Sequence, residues 1–242
     1  MTKKIAYQLC SQDPNNYGTV TFTPLIPWNC EKIMYQVTDL NTFGNIVLST
    51  EDDYIMINEQ LYHFPEKISW DKYELATWLN DQLSGVVVSI TDTGCYQFRS
   101  SGTFTITECT HRVRLLLGIF HCNDFPIQSQ YDEDNLDYCF IAPACPMLTY
   151  GNVLYLRTLE GSFVGTRNDI HNITFPCAYR INQFIKPGVP LLYHKKGEKT
   201  IINIDAAKQI TMTLVDFMYE PVILKSPMFI AIKIKPVHLT SY

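Results

Sequence analysis

Long apolar runs are missing from this sequence. The longest, around Val86 to Val88 and Leu115 to Leu117, extend for three to six residues, against the roughly 20 that a membrane-spanning helix needs. The start, Met1-Thr2-Lys3-Lys4, carries two positive charges, but Gln8, Gln12 and Asp13 follow before any apolar run forms, so it does not read as a secretory signal. Basic charge is also scarce: 19 Lys and Arg stand against 24 Asp and Glu, a formal net charge of −5 and a pI near 5.6, opposite to the footprint of a generic nucleic-acid binder. Phosphate cradles are missing too. Neither Gly-x-x-x-x-Gly-Lys-Ser/Thr nor Gly-x-Gly-x-x-Gly occurs, and the nearest stretch, Gly161-Ser162-Phe163-Val164-Gly165, lacks the lysine a nucleotide loop needs. There is no Cys-x-x-Cys, no elbow serine and no metal-binding helix motif, which argues against hydrolase or nucleotide chemistry.

What is present is a globular composition. The 242 residues suffice for one large β domain or two small ones, burying about 70–75% of the chain's surface on folding. A hydrophobic share of 46% with 18% charged residues lies far from disordered chains. Thirteen Pro, 15 Tyr and 13 Phe, beside many Thr, Ile and Val, favour pleated strands broken by turns.

Alternation with period two predicts strands at 19–26 and 32–37, then a hairpin between Ile46-Val47-Leu48 and Tyr54-Ile55-Met56-Ile57 through Glu51-Asp52-Asp53. The principal helix is predicted over 69–84, with Ser69 as N-cap, Asp71 in the first turn, Leu75, Ala76, Leu79 and Leu83 on one face, and Gly85 as the stop. Strands at 86–90, 96–98 and 103–107 follow. A short helix is then capped by Thr110 and ends at Gly118. Residues 45–120 thus read as one β-α-β-β-β-α unit. Between Cys122 and Pro146, Asp124, Asp132, Glu133, Asp134 and Asp137 crowd a stretch with three prolines, an acidic connecting loop whose spacing lacks the glycine of a calcium loop. Further strands are predicted at 153–156, at 173–185 with an interruption at Pro176, and at 199–204, 209–215 and 228–234. The last sets Met228, Ile230, Ile232 and Ile234 opposite Phe229, Ala231 and Lys233.

The cysteines, at 10, 30, 95, 109, 122, 139, 145 and 177, are spread through the chain without a small-scaffold spacing and read as free thiols in a reducing compartment. The sequon Asn172-Ile173-Thr174 matters only in a secreted chain. Cys109 with His111, and His121 with Cys122, are the zinc candidates, although adjacent ligands are awkward for one ion. Trp28, Trp70 and Trp78 are the candidates for a sugar-stacking platform, with core packing as the plainer reading. No catalytic, cofactor-binding or metal residue is assigned, and no cofactor is expected.

The order of elements carries a resemblance. After two N-terminal strands come His63-Phe64-Pro65 leading into the helix Tyr73-Glu74-Leu75-Ala76-Thr77-Trp78-Leu79-Asn80, a meander, and a helix ending Arg114-Leu115-Leu116-Leu117-Gly118-Ile119-Phe120. Lys186-Pro187-Gly188, Ile210-Thr211-Met212-Thr213-Leu214-Val215-Asp216, Glu220-Pro221-Val222-Ile223-Leu224 and Ile232-Lys233-Ile234-Lys235-Pro236 follow. Over nearly its whole length the chain resembles the penton-type minor capsid proteins of polintons, adintoviruses and virophages, relatives of the adenovirus penton base. The resemblance implies a mainly β fold, a single jelly-roll β-sandwich formed by 1–44 and 121–242 with 45–120 inserted. It further implies a homopentamer at the vertices of an icosahedral double-stranded DNA virus particle. Its partners would be copies of itself and the major capsid protein, and it would be a virion component made in the host cytoplasm, with assembly there or in the nucleus. Subunit-contact residues are not given by it, and the lack of a long basic arm leaves genome contact open. A carbohydrate- or receptor-binding β-sandwich, such as a viral attachment protein, is the alternative.

Overall fold

The computed structural model describes residues 5–15, 17–25, 32–42, 46–120, 122, 125–148, 154–158, 166–168, 173–175, 177–181, 190–194, 199–203, 209–216, 218 and 220–237. The chain divides into two compact units, Met1–Ile46 with Tyr150–Tyr242, and Val47–Thr149. The first begins with β1 (Ile5–Cys10), β2 (Thr19–Phe22) and β3 (Lys32–Thr42). The second holds β4 (Tyr54–Ile57), β5 (Gln60–His63), α1 (Lys72–Gln82), β6 (Val87–Ile90), β7 (Tyr96–Ser100) and β8 (Thr105–Cys109). It ends with α2 (His111–Leu117), β9 (Ile127–Gln128), β10 (Gln130–Asp132) and β11 (Asp137–Ile141). The first unit then resumes with β12 (Leu154–Thr158), β13 (Thr166–Asn168), β14 (Ile173–Phe175) and β15 (Cys177–Ile181). It continues through β16 (Leu191–Tyr193), β17 (Thr200–Asn203), β18 (Ile210–Val215) and β19 (Met228–Val237).

In the first unit one sheet runs β1-β19-β3-β16, with β17 also on β3, and the other runs β15-β12-β18-β2, all antiparallel. With β16 and β17 counted as one broken strand, and the β13-β14 hairpin set aside, the eight strands pair first with last, second with seventh, third with sixth and fourth with fifth. That nesting is the jelly roll. The fold class expected from the sequence, mainly β with a single jelly-roll sandwich, is what the strands form. Its interior is written in alternation: Met228, Ile230, Ile232 and Ile234 of β19 are buried, as are Ile210, Met212 and Leu214 of β18 and Val20 and Phe22 of β2. Along β3 the buried set shifts phase, from Ile33, Tyr35 and Val37 to Leu40 and Thr42. The register against β19 slips at that point, Asp39 facing Ala231 and Val37 facing Ile232. Thr38 is the extra residue of a β-bulge that flips the face, and its hydroxyl donates to the Ala231 carbonyl at 3.3 Å. Tyr7 of β1 meets Phe22 of β2 with ring centroids 6.0 Å apart, and its hydroxyl accepts from the Leu25 N–H at 2.8 Å, tying the two sheets together.

The second unit has two antiparallel sheets, β5-β4-β8-β9 and β10-β11-β7-β6. The principal helix starts two residues later than the sequence suggests. Asp71, not Ser69, is the N-cap, accepting from the N–H groups of Tyr73 and Glu74, while Glu74 reaches back to the Asp71 N–H in a capping box. Leu75, Ala76, Leu79 and Leu83 are buried as the helical spacing predicts, each full Leu burial contributing roughly 1.5–3 kcal/mol. Asn80 fixes the far end to β6, donating to the Val88 carbonyl at 2.8 Å and accepting from its N–H at 2.6 Å. At the near end the Tyr96 hydroxyl donates to the Lys72 carbonyl at 2.8 Å.

Other expectations are corrected here. Tyr54–Ile57 does not form a hairpin with Ile46-Val47-Leu48; it pairs with Gln60–His63 across Asn58 and Glu59, both with positive φ, 50° and 65°. The segment expected as an acidic loop from Cys122 to Pro146 contains β9, which pairs with β8, and the β10-β11 hairpin, which joins β7 through β11. As a result the inserted unit, expected to be 45–120, extends to Thr149, and 121–149 leave the jelly-roll set. Thr110 occupies the N-cap position of α2 without capping it, because its hydroxyl is drawn to Asp53 at 2.9 Å. Gly118 takes the left-handed conformation expected of it, φ 72°. The predicted Lys186-Pro187-Gly188 loop, Pro176 and Gly161 to Gly165 lie outside the described residues.

Candidate functional site

Two of the acidic residues of 130–137, Asp132 and Asp137, are held by one arginine. Arg99 of β7 donates to Asp137 Oδ1 at 2.7 Å and to Asp132 Oδ2 at 2.8 Å, a fork that clasps the two strands of the β10-β11 hairpin where they meet the turn. Asp132 also accepts from the Asp134 N–H and the Asn135 amide, building the turn between the two strands. The hydrogen bonds from Asn135 and Arg99 hold its carboxyl below the usual aspartate range. A guanidinium placed between the two carboxylates does the work a divalent cation would do. Asp124 lies outside the described residues. On the outer face of that sheet Val87 and Ile141, 62% and 50% exposed, lie near Arg99.

Of the zinc candidates, Cys109 is buried, and burial pushes its thiol up to about 12, which disfavours the thiolate a nucleophile needs. His121 is outside the described residues, and among those described no three His, Cys, Asp or Glu side chains gather for a metal. Trp70 is buried, its indole N–H donating to Ser49 Oγ at 2.9 Å, and its ring lies 5.9 Å from Trp78, which packs tilted against Phe64 at 4.6 Å. Trp70 is thus interior packing of the second unit and Trp78 a half-buried ring packed against it; Trp28 is not among the described residues.

What sequence reasoning missed is long-range. Asp53, 1% exposed, accepts from Thr50 N–H and Oγ1, from Thr110 Oγ1 and from Arg112 Nε at 2.8 Å, joining the turn before β4 to the start of α2. Cys95 and Cys145 come within 3.8 Å, sulfur to sulfur. No local spacing signals either cluster.

In the jelly roll the edge strands β1 and β2 border an open groove of about 530 Å³, lined by Gln8 to Asp13 and Thr19 to Thr21. Its β2 side is held by hydroxyl pairs with β18, Thr19 with Thr213 at 3.1 Å and Thr21 with Thr211 at 3.3 Å.

The chain is similar to a crystal structure of mavirus penton protein. The similarity covers 97% of this chain and all of that one, at 10% identity and a TM-score of 0.45. No protein-family model and no curated protein matches the sequence. Among the described residues no helix is long and apolar enough to cross a membrane.

Proposed function

We propose that this chain is a structural subunit of a viral capsid, the penton subunit that closes the vertices of an icosahedral shell as a ring of five. The observation that carries the reading is the nested strand order of the first unit, joined to the capsid-like succession of motifs along the sequence. Strand order alone does not fix function, and the same fold serves lectins. The lectin alternative wants exposed, aligned aromatic rings, whereas Trp70 is buried and the half-buried Trp78 is packed, tilted, against Phe64 and Trp70. A jelly roll built this way leaves β1, β2, β15 and the β16-β17 side as open edges among the described strands. Such edges need covering, and a cyclic assembly covers them by setting one surface against a different surface on the next copy. The polar groove between β1 and β2 is one such surface. A stable ring needs more than about 1,000 Å² buried per contact, and five copies at −5 each repel only modestly when charges are screened beyond about 8 Å.

The test is mass in solution by light scattering together with electron microscopy, on the chain alone and with the major capsid protein of the same particle. Five-fold rings are the expected outcome in at least one of the two, with no turnover of any small substrate. A strict monomer under both conditions overturns the reading.

A further inference from the structure

Cys95 and Cys145 are fifty positions apart in sequence, yet both are held in place by the backbone around them. Cys95 closes the β6-β7 turn: its N–H donates to Thr91 Oγ1 at 3.1 Å and its carbonyl accepts from the Thr91 N–H at 2.9 Å. Cys145 sits in a segment with no regular structure that is pinned on both sides. Ala142 N–H donates to the Tyr96 carbonyl at 2.8 Å, Ala144 N–H to Gly118 at 3.1 Å and Met147 N–H to Leu115 at 2.9 Å. Cys145 is exposed and its thiol lies 3.3 Å from the Thr93 carbonyl, while Cys95 is buried. The 3.8 Å between the sulfurs leaves less than about 2 Å to a covalent bond.

We infer that Cys95 and Cys145 are a redox-active pair that closes to an intrachain disulfide by exchange with a low-molecular-weight disulfide of the glutathione class. In the first step the exposed Cys145 thiolate attacks one sulfur of the small disulfide, expelling one small thiolate and leaving a mixed disulfide on Cys145. Cys95 then gives up its proton and attacks the Cys145 sulfur, expelling the second small thiolate. Two protein thiols are oxidised and one small disulfide is reduced, and the two protons the protein thiols give up are taken by the two expelled small thiolates. The hydrogen bond with Cys95, and then burial, raise the Cys145 thiol above its ordinary value, so the exchange accelerates as pH rises through the thiol range. The product staples the pinned segment to the β6-β7 turn. The inference does not depend on the capsid reading.

The experiment treats the full chain, purified reduced, with oxidised glutathione at mildly alkaline pH without denaturant, and follows intact mass, peptide maps and thermal unfolding. The wild type should lose two hydrogens, yield a Cys95–Cys145 cross-linked peptide, and gain about 5–10 °C in thermal midpoint that dithiothreitol reverses. Cys95→Ser should stop at a glutathione adduct on Cys145. Cys145→Ser, at an exposed position, should keep the midpoint of the reduced wild type and form no cross-link. A wild type that does not react, that keeps a stable adduct on Cys145, or that joins a different pair overturns the inference, as does a Cys145→Ser variant that still loses two hydrogens.

Discussion

Gly118 is the residue whose replacement tests the second unit most sharply. Its φ of 72° lies where a Cβ is strained, and a Cβ built there would sit 2.0 Å from the Ala144 carbonyl oxygen and 2.8 Å from its carbon. Backbone strain alone costs about 1–2 kcal/mol. The clash cannot be relieved by a side-chain rotation because the obstacle is backbone, so the segment around Ala144 must move. Movement sacrifices its N–H bond to Gly118 and strains the neighbouring one from Met147 to Leu115, about 1 kcal/mol each. Gly118→Ala should therefore destabilise by about 3–4 kcal/mol. Two other glycines supply internal standards. Gly85 has φ 76° but nothing within 4 Å of its Cβ position, so Gly85→Ala isolates the strain at about 1–2 kcal/mol. Gly102 has neither strain nor a neighbour, so Gly102→Ala should be neutral or slightly stabilising. Urea unfolding followed by tryptophan fluorescence, which Trp70 and Trp78 weight toward this unit, gives the three values. If Gly118→Ala costs no more than Gly85→Ala, the docking of 142–147 on the end of α2 is wrong.

Asp53→Ala removes the acceptor of four donors and leaves Arg112, whose side chain is 21% exposed, facing a buried gap; a loss of about 3 kcal/mol is expected by the same unfolding assay. Leu75→Asp, at a fully buried position of α1, should cost several kcal/mol, and near-wild-type stability would show that this helix face is not core. In the first unit His194 Nδ1 lies 2.8 Å from Asp39 Oδ1, and this hydrogen bond holds the Asp39 carboxyl below its ordinary value. A depressed carboxyl stabilises the fold above its unfolded pKa and loses that contribution as pH falls through the folded one. Stability curves of wild type and Asp39→Asn should thus differ near about pH 5 and converge toward about pH 2; a gap that widens on acidification would refute the sign.

The strands of the jelly roll were legible where burial alternates over a long element, as in β18 and β19, because one face of a sandwich imposes period two on the sequence. β1 was missed: Ile5–Cys10 has no fully buried residue, and as an edge strand it carries Gln8 at a position that reads as a loop. The partner of β4 was missed because a turn through Asn58 and Glu59 puts a glutamate at positive φ, a choice that propensity opposes. The acidic hairpin was hidden for a different reason. Its charges look like a solvated loop until Arg99, more than thirty residues upstream, is known to face Asp132 and Asp137, and that pairing belongs to tertiary structure. The Asp71-x-x-Glu74 cap stood in the sequence as a plain signal beside the less informative Ser69. The Cys95–Cys145 approach left no local trace at all.

The position of β19 sets an order of events as the chain is made. Residues 228–237 run between β1 and β3, so that Ile5 faces Ile234 and Lys32 faces Val237. That sheet cannot close until residues 228–237 have left the ribosome, and it pairs Ile5 with Ile234, a separation in sequence of the kind that folds slowly. The unit from Val47 to Thr149 is assembled from one continuous stretch, and can be complete while β3 still waits for its central neighbour. During that interval the apolar rows of β2 and β3 lack their partners, so yield of native protein should depend on how quickly the last strand arrives, and a slowed or truncated C-terminal segment should send the chain to aggregates that contain a folded insertion.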